Sequence, residues 1–176
     1  DGRVNAPDRV LRPSAILRTL AEGRVEFIVV GGIAVQAHGY IRATADLDLV
    51  PRPTLVNLSR LGETLAELEA APRRATATIN VTDPQLLKRV PMVPLITRYG
   101  RLDLLNIEHL AGAPASYEDL DSRALAVTLE GIEIRVAGLD DLLRMKRAAG
   151  REQDRLDIAA LTRTDDELEA EAPEST

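Results

Sequence analysis

The stretch VVGGIAVQAHGYIRATADLDLVP, residues 29–51, decides the fold because it joins two strand-like segments through a glycine pair. The first segment, VEFIVV (25–30), is a continuous apolar run of the length expected for a buried strand. It stops at Gly31 and Gly32, after which a short helix can form. The second segment, ADLDLV (45–50), is apolar apart from its acids. We predict a strand, a glycine turn, a short helix and a second strand.

Two acidic residues lie one residue apart in this second strand. Side chains two positions apart in a strand point to the same face, so Asp46 and Asp48 project together. Leu47 and Leu49 point the opposite way, into the core. Two close carboxylates repel each other, and a divalent cation such as Mg²⁺ would resolve the conflict with oxygen ligands. The alternative is a solvent-facing alternation on an edge strand.

A third acid in a similar setting is found in RLDLLNI (101–107). Asp103 is flanked by leucines in a predicted strand. If that strand lies beside the strand of Asp46 and Asp48, three carboxylates converge on one spot. We therefore predict Asp46, Asp48 and Asp103 as metal ligands and catalytic residues, with Mg²⁺ or Mn²⁺ as the metal.

The remaining segments show the periodicities of hairpins and helices. Hairpins are predicted around Gly100 (94–107) and around the turn Glu130-Gly131 (125–137). Helices are predicted over residues 14–22, 33–38, 54–70, 83–90, 139–149 and 151–163. Because hairpins need antiparallel strands, the expected fold class is α/β of the α+β kind, a mixed sheet with flanking helices and a C-terminal helical pair.

Composition limits the classes of function. The chain has 176 residues, a net charge of −6 and 2% aromatic residues, which argues against a general nucleic-acid coat and against base stacking as a main binding mode. It has no cysteine, hence no disulfide framework or thiolate metal site. No apolar stretch approaches the ~18 residues of a membrane span, and DGRVNAPDRV (1–10) lacks a signal-peptide pattern. We expect a cytoplasmic protein without a membrane partner.

Several residues could bind phosphate. Backbone N–H groups of a glycine turn can approach phosphate oxygens closely, although a glycine pair is also an ordinary turn. Arg42 and Thr44 precede the acids and could contact a phosphate or simply belong to a loop, while His38 is expected to pack rather than to bind metal. A cationic cluster could neutralise a triphosphate or form a solvated helix face. Its members are Arg144, Lys146, Arg147 and Arg151.

The strand, the Gly31-Gly32 turn, the short helix and RATADLDL (42–49), with Asp103 downstream, resemble the polymerase-β-like nucleotidyltransferase superfamily. Those enzymes transfer a nucleoside monophosphate from an NTP to an acceptor and release pyrophosphate. The resemblance implies the nucleotidyltransferase fold, and it implies that Gly31 and Gly32 contact the nucleotide.

The domain organisation follows from the extent of this resemblance. We expect a nucleotidyltransferase domain over residues 1–163, with a catalytic core at about 25–138 and a C-terminal helical segment at 139–163. The acidic, polar tail TDDELEAEAPEST (164–176) is expected to be disordered.

The finer pattern R-x-T-x-DLDL looks like the AbiEii/MenT group of toxin-antitoxin nucleotidyltransferases. That group carries a C-terminal motif of the form K…R-x-K-D-x-x-D, which LLRMKRAAGREQDRLDIAAL (142–161) fits. The resemblance implies that Lys146 binds NTP phosphates and acts in catalysis. It places Arg151, Asp154 and Asp157 at the same nucleotide site, for which Arg42 and Thr44 are further candidates from their position before the acids.

This sequence departs from the family pattern at two positions. Gly32 stands where many relatives have serine, so a hydroxyl contact to phosphate is absent. Gln153 replaces the second lysine of the C-terminal motif, which removes one cationic contact to phosphate or acceptor.

The resemblance predicts a Mg²⁺-dependent toxin that transfers NMP from an NTP to RNA, in particular to the 3′ end of tRNA, with a cognate antitoxin protein as a further partner. One alternative keeps the chemistry but changes the acceptor to a small molecule, such as an antibiotic, or to a protein. The other is a nucleotide-binding module without turnover.

Overall fold

The computed structural model describes residues 9–74 and 79–171. Its strands are β1 (Phe27–Val30), β2 (Asp46–Pro51), β3 (Ala71–Pro72), β4 (Met92–Thr97), β5 (Gly100–Leu105), β6 (Leu125–Leu129) and β7 (Ile132–Val136). Its helices are α1 (Pro13–Glu22), α2 (Gly31–Ala37), α3 (Leu55–Glu67), α4 (Pro84–Arg89), α5 (Tyr117–Ser122), α6 (Leu139–Ala149) and α7 (Glu152–Glu171).

The strands form one seven-stranded sheet in the order β3-β4-β5-β2-β1-β7-β6. Strands β2 and β5 pair in parallel, as do β1 and β7. The other neighbours pair antiparallel, including the hairpins β4–β5 and β6–β7. Hairpins and crossovers together make a mixed sheet, which confirms the predicted fold class.

The two faces of the sheet bury different side chains. Leu47, Leu49 and Leu102 belong to the larger core, in which α1 and α3 bury their apolar faces. Val50 lies on the opposite face, in a smaller cluster with residues of α5 and α6 such as Met145. This second face also carries the acids of β2, and its partial cover leaves room for a cleft.

Local signals explain where the helices begin and end. The Thr54 hydroxyl accepts a hydrogen bond from the backbone N–H of Asn57 and caps α3, as its position in the sequence predicts. Gly150 ends α6 in the left-handed conformation, with φ +65°, where glycine is favoured. The Glu130-Gly131 turn has φ of +47° and +79°, as a tight hairpin turn requires.

Two helices differ clearly in extent from the prediction, and one strand was not predicted. Helix α2 begins at Gly31 itself rather than at residue 33, because the glycine pair forms its first turn. Helix α7 continues to Glu171, beyond residue 163. The short edge strand β3 was not predicted. Of the tail that we expected to be disordered, residues 172–176 lie outside the described residues.

Among residues 9–74 and 79–171, every helix falls short of the length or the apolar character needed to traverse a bilayer.

Candidate active site

The acids of β2 and the acid of β5 lie on neighbouring parallel strands. Asp48 and Asp103 are Cα partners across this pair, and Asp46 lies opposite Arg101. Asp48 and Asp103 both line a cleft of about 370 Å³ on the second face of the sheet. The parallel pairing of β2 with β5 therefore brings Asp103 beside the Asp46–Asp48 pair.

Gly31 sets the position of the Asp48 carboxylate. Val30, the last residue of β1, pairs with Asp48, so the chain turns into α2 directly beside that side chain. Gly31 has φ +65°, and a Cβ built on it would lie 2.7 Å from Asp48 Cγ. Only glycine permits both this backbone conformation and this close approach.

Asp48 carries a poorly compensated charge. Burial and the neighbouring charge of Asp46 raise its pKa from 3.8 to about 6, although Arg151, Lys146 and Arg73 act in the opposite direction. No hydrogen bond to its carboxylate is found within the part of the chain that the structure describes. A nearby cation would favour its charged form.

Sequence reasoning missed Arg73. Its Nη2 makes an ion pair with Asp103 Oδ1, and its Nη1 lies 3.4 Å from Asp46 Oδ1. Its backbone N–H donates to the Pro94 carbonyl oxygen at 2.9 Å, which fixes the chain beside β4. The guanidinium therefore bridges two of the three acids.

The donor set can be tested for its fit to a divalent cation. In the described residues, no group of three or more His, Asp or Glu side chains is close enough to hold a metal ion as found. The carboxylates of Asp46, Asp48 and Asp103 nevertheless offer hard oxygen donors on one face of the sheet, which is the ligand type Mg²⁺ prefers. They fit such an ion on condition that Arg73 leaves the bridging position.

A cationic network borders the same cleft. Lys146 is only 5% exposed, and its Nζ lies 3.1 Å from Asp154 Oδ1 and 2.8 Å from Asp157 Oδ2. Arg151 donates from Nε to Asp154 Oδ2 at 2.8 Å, while its side chain is 76% exposed. The network thus has a buried lysine at its centre and an exposed arginine at its edge.

Arg42 joins this network from the loop before β2. Its Nε and Nη2 donate to the two carboxylate oxygens of Asp157 at 2.7 and 2.9 Å. Gln153 donates to the same carboxylate at 3.0 Å. Burial opposes ionisation of Asp157, but hydrogen bonds from Arg42, Lys146 and Gln153 outweigh it and lower the pKa to about 2. Asp157 is therefore a fully ionised anchor for the loop.

Local packing explains why residue 32 is a glycine. A Cβ at this position would lie 2.8 Å from Thr44 Cβ and 3.2 Å from Arg42 Nη1. Thr44 donates from its hydroxyl to the Asp46 carbonyl oxygen at 3.1 Å. The loop before the acids packs directly on the glycine, so serine does not fit here without a shift.

Two adjoining clefts meet at this site. A polar one of about 230 Å³ is bordered by the glycine pair and the loop before β2. The larger one is mostly aliphatic away from the acids. The residues that line both are Gly31, Asp48, Lys146, Arg151 and Asp154.

Not every cation predicted for this cluster faces the clefts. Arg144 pairs with the buried Asp141, which also accepts from Arg123 at 2.9 Å. Arg147 is exposed and borders neither cleft. His38 packs as expected, with its Nε2 2.8 Å from the Ala137 carbonyl oxygen.

Comparison with known proteins gives a family and a fold. Residues 15–166 match the model of a family described as nucleotidyltransferase of unknown function, DUF6036. A solved structure from Thermotoga maritima, assigned as a nucleotidyltransferase, is 14% identical and has a TM-score of 0.54 over 88% of this chain and 96% of that one. An antigenic nucleotidyltransferase-like protein from Paracoccidioides brasiliensis is 17% identical, with a TM-score of 0.53 over 84% of this chain and 72% of that one. No curated protein gives a significant match.

Proposed function

The chain belongs to the DUF6036 family of nucleotidyltransferases, and from this membership we propose that it is a Mg²⁺-dependent enzyme that transfers NMP from an NTP to RNA. The observation that carries the proposal is the pairing of Asp48 with Asp103 across parallel strands, beside Asp46 and at one cleft. Carboxylates gathered at a cleft require a nearby cation, which suits an enzyme that handles Mg²⁺ and triphosphate.

The nucleotide phosphates would lie between the acids and the cationic network. Lys146 has three N–H donors, and its Nζ is within ion-pair distance of Asp154 and Asp157, so one donor remains for a phosphate. Arg151 is largely exposed and lines both clefts. We assign direct phosphate contact to Arg151 and Lys146, and a supporting role for the loop before β2 to Arg42, Thr44, Asp154 and Asp157.

Asp46, Asp48 and Asp103 would hold Mg²⁺, which supplies charge neutralisation for the phosphates and alignment of the attacking and leaving oxygens. The acceptor hydroxyl oxygen attacks the α-phosphorus and the bond to the bridging oxygen of pyrophosphate breaks. Asp103 takes the hydroxyl proton and passes it to water. Pyrophosphate leaves past Arg151, which balances its charge.

The proposal that RNA is the acceptor rests on the likeness of residues 142–161 to the toxin group, in which tRNA 3′ ends are the target. Exposed cations near the cleft are compatible with an RNA backbone. Arg74 is such a cation, because it is exposed and borders an apolar groove that shares Met92 with the cleft. A toxin of this kind would act in the cytoplasm, where a cognate antitoxin protein silences it.

A small-molecule acceptor is the second candidate, since the larger cleft has the volume and the aliphatic lining of a ligand pocket. Its aliphatic members include Val30, Leu105, Leu110, Leu142, Met145 and Ala149. The net charge of −6 also favours an acceptor that is not a polyanion.

One experiment tests the chemistry and separates the acceptors. Each α-³²P-labelled NTP is incubated with the protein, Mg²⁺ and either total tRNA or a panel of aminoglycosides, and label is followed on gels and by thin-layer chromatography. Label on tRNA supports the first proposal, and label on an aminoglycoside supports the second. Asp48→Asn and Asp103→Asn should abolish transfer. The control Asp121→Asn, which removes one charge of an exposed ion pair with Arg135, should leave transfer intact. Undiminished transfer by Asp48→Asn would reject the mechanism.

A further inference from the structure

Arg73 occupies the space between two acids that the proposed function assigns to a metal ion. Its Nη2 pairs with Asp103 and its Nη1 lies 3.4 Å from Asp46 Oδ1. The Asp46 and Asp103 carboxylates have limited exposure, 30% and 9%. A cation is expected wherever carboxylates approach in such a partly buried setting.

We propose that Arg73 is a displaceable internal cation, which neutralises Asp46 and Asp103 when no divalent ion is bound and must swing away for the ion to bind. The proposal rests on the proposed function, because it takes these acids to be the metal ligands. It adds a residue that competes with the ion for them and so sets the metal affinity of the enzyme.

The setting of Arg73 fits a side chain that is held only loosely. Its Nε is buried and has no hydrogen-bond partner among the residues that the structure describes. A buried donor without a partner is unfavourable, and rotation of the side chain into water would satisfy it. The contact with Asp46 is also long for a charge-assisted hydrogen bond.

The exchange requires movement of a side chain and not of the fold. The backbone of Arg73 is anchored to Pro94 by its N–H, next to the pairing of β3 with β4. The Arg73 side chain is 25% exposed, so a path to solvent exists. Arg42 and Lys146 are less exposed, at 17% and 6%, and each makes two contacts of 2.7–3.1 Å with fully or almost fully buried carboxylates. Arg73 is thus less firmly enclosed than these two cations.

Arg101 does not substitute for Arg73 at this position. Arg101 lies on the strand opposite Asp46, with its Nη1 3.9 Å from Asp46 Oδ1, whereas the ion pair at Asp103 is made by Arg73. Removal of Arg73 would therefore leave Asp103 without its cationic partner and open to a metal ion.

The test is to titrate the metal-free protein with Mn²⁺ and to measure the dissociation constant. Binding is monitored by calorimetry and by the electron paramagnetic resonance signal of free Mn²⁺. If Arg73 occupies the acids for nine-tenths of the time, Arg73→Ala should bind Mn²⁺ about tenfold more tightly than wild type. Arg73→Gln serves as a second variant of similar length should the alanine variant fold poorly. Arg74→Ala is the matched control, since it removes the same charge from the neighbouring residue, which is exposed and makes no ion pair with the three acids in the part of the chain that the structure describes.

Tighter binding by the Arg73 variants with wild-type affinity in Arg74→Ala would support the proposal. Equal affinity in wild type and both Arg73 variants would overturn it, and so would an equal gain in Arg74→Ala, which would indicate general electrostatics. If Mn²⁺ binds none of the variants, the proposal fails as well. Label transfer from NTP then shows whether the proposed function fails with it: transfer by wild type retains the function and rejects only the role of Arg73.

Discussion

The Asp48 carboxylate packs directly against the Cα of Gly31, so that a Cβ at Gly31 would lie 2.9 Å from Asp48 Cβ and 2.7 Å from Asp48 Cγ. The first residue of α2 and the central acid of β2 are therefore one structural unit. The contact connects the glycine turn with the acids, through two residues that lie 17 positions apart in the sequence.

Gly31→Ala should abolish NTP label transfer, and this loss should exceed what its effect on the stability of the fold explains. The alanine Cβ would force the Asp48 carboxylate away from Asp103, and φ +65° adds a strain of roughly 1–2 kcal/mol for a residue with a Cβ. Gly131→Ala is the matched control, because Gly131 has φ +79° and nothing lies within 4 Å of its added Cβ. We expect a lower melting temperature in both variants and loss of NTP label transfer only in Gly31→Ala. Full transfer by Gly31→Ala would mean that the position of Asp48 is not critical.

The raised pKa of Asp48 predicts a specific pH dependence of stability. The folded protein binds a proton at Asp48 up to pH about 6, whereas the unfolded chain loses it near 3.8. The free energy of unfolding of the metal-free protein therefore falls as pH rises between these values, by about 2–3 kcal/mol at this site. Asp48→Asn removes this loss, so its melting temperature should exceed that of wild type by several degrees at pH 7 in EDTA. At pH 4 the two proteins should melt together; a constant difference at both pH values would contradict the assignment.

The placement of the three acids on neighbouring strands could be predicted because their sequence signals are local. Asp46 and Asp48 alternate with leucines that pack into the core, and Asp103 repeats the same Leu-Asp-Leu context on β5. A buried strand with one acid on the opposite face has few places in a mixed sheet, so the adjacency of β2 and β5 could be expected. The turn at Glu130-Gly131 and the cap at Thr54 were predicted for the same reason.

The contacts of the arginines could not be predicted in this way. Arg73 lies 30 residues from Asp103 in the chain, in the segment PRRATATINV, which has no periodicity that would orient its side chain. Arg42 and Asp157 are 115 residues apart, and no pattern in either segment indicates that they pair. Such contacts depend on how the loops pack after the sheet has formed.

The variant Gly32→Ser tests whether the turn tolerates the serine that is common at this position in the family pattern. Gly32→Ser should reduce stability and label transfer, because its Cβ would meet the Thr44 side chain and Arg42 Nη1. The double variant Gly32→Ser/Thr44→Gly removes the Thr44 Cβ and should recover part of both losses. A double-mutant cycle of melting temperatures measures this coupling, and simple additivity of the two changes would show that the two residues do not interact.

The ion pair of Arg42 with Asp157 should matter far more to stability than an exposed pair of the same residue types. Asp157 is fully buried and holds Arg42, Lys146 and Gln153, so Asp157→Asn leaves two cations incompletely compensated and should cost about 3–5 kcal/mol. Asp121→Asn breaks the exposed pair with Arg135 and should cost about 1 kcal/mol or less. Urea denaturation at pH 7 measures both values.

The pH dependence of stability distinguishes the contribution of the Asp157 charge from that of its packing. Because the pKa of Asp157 is lowered to about 2, its stabilising contribution is present above its ordinary pKa near 3.8 and is lost as pH falls toward 2. The difference in unfolding free energy between wild type and Asp157→Asn should therefore shrink over that interval. A difference that stays constant down to pH 2 would show that Asp157 supports the fold by its shape and not by its charge.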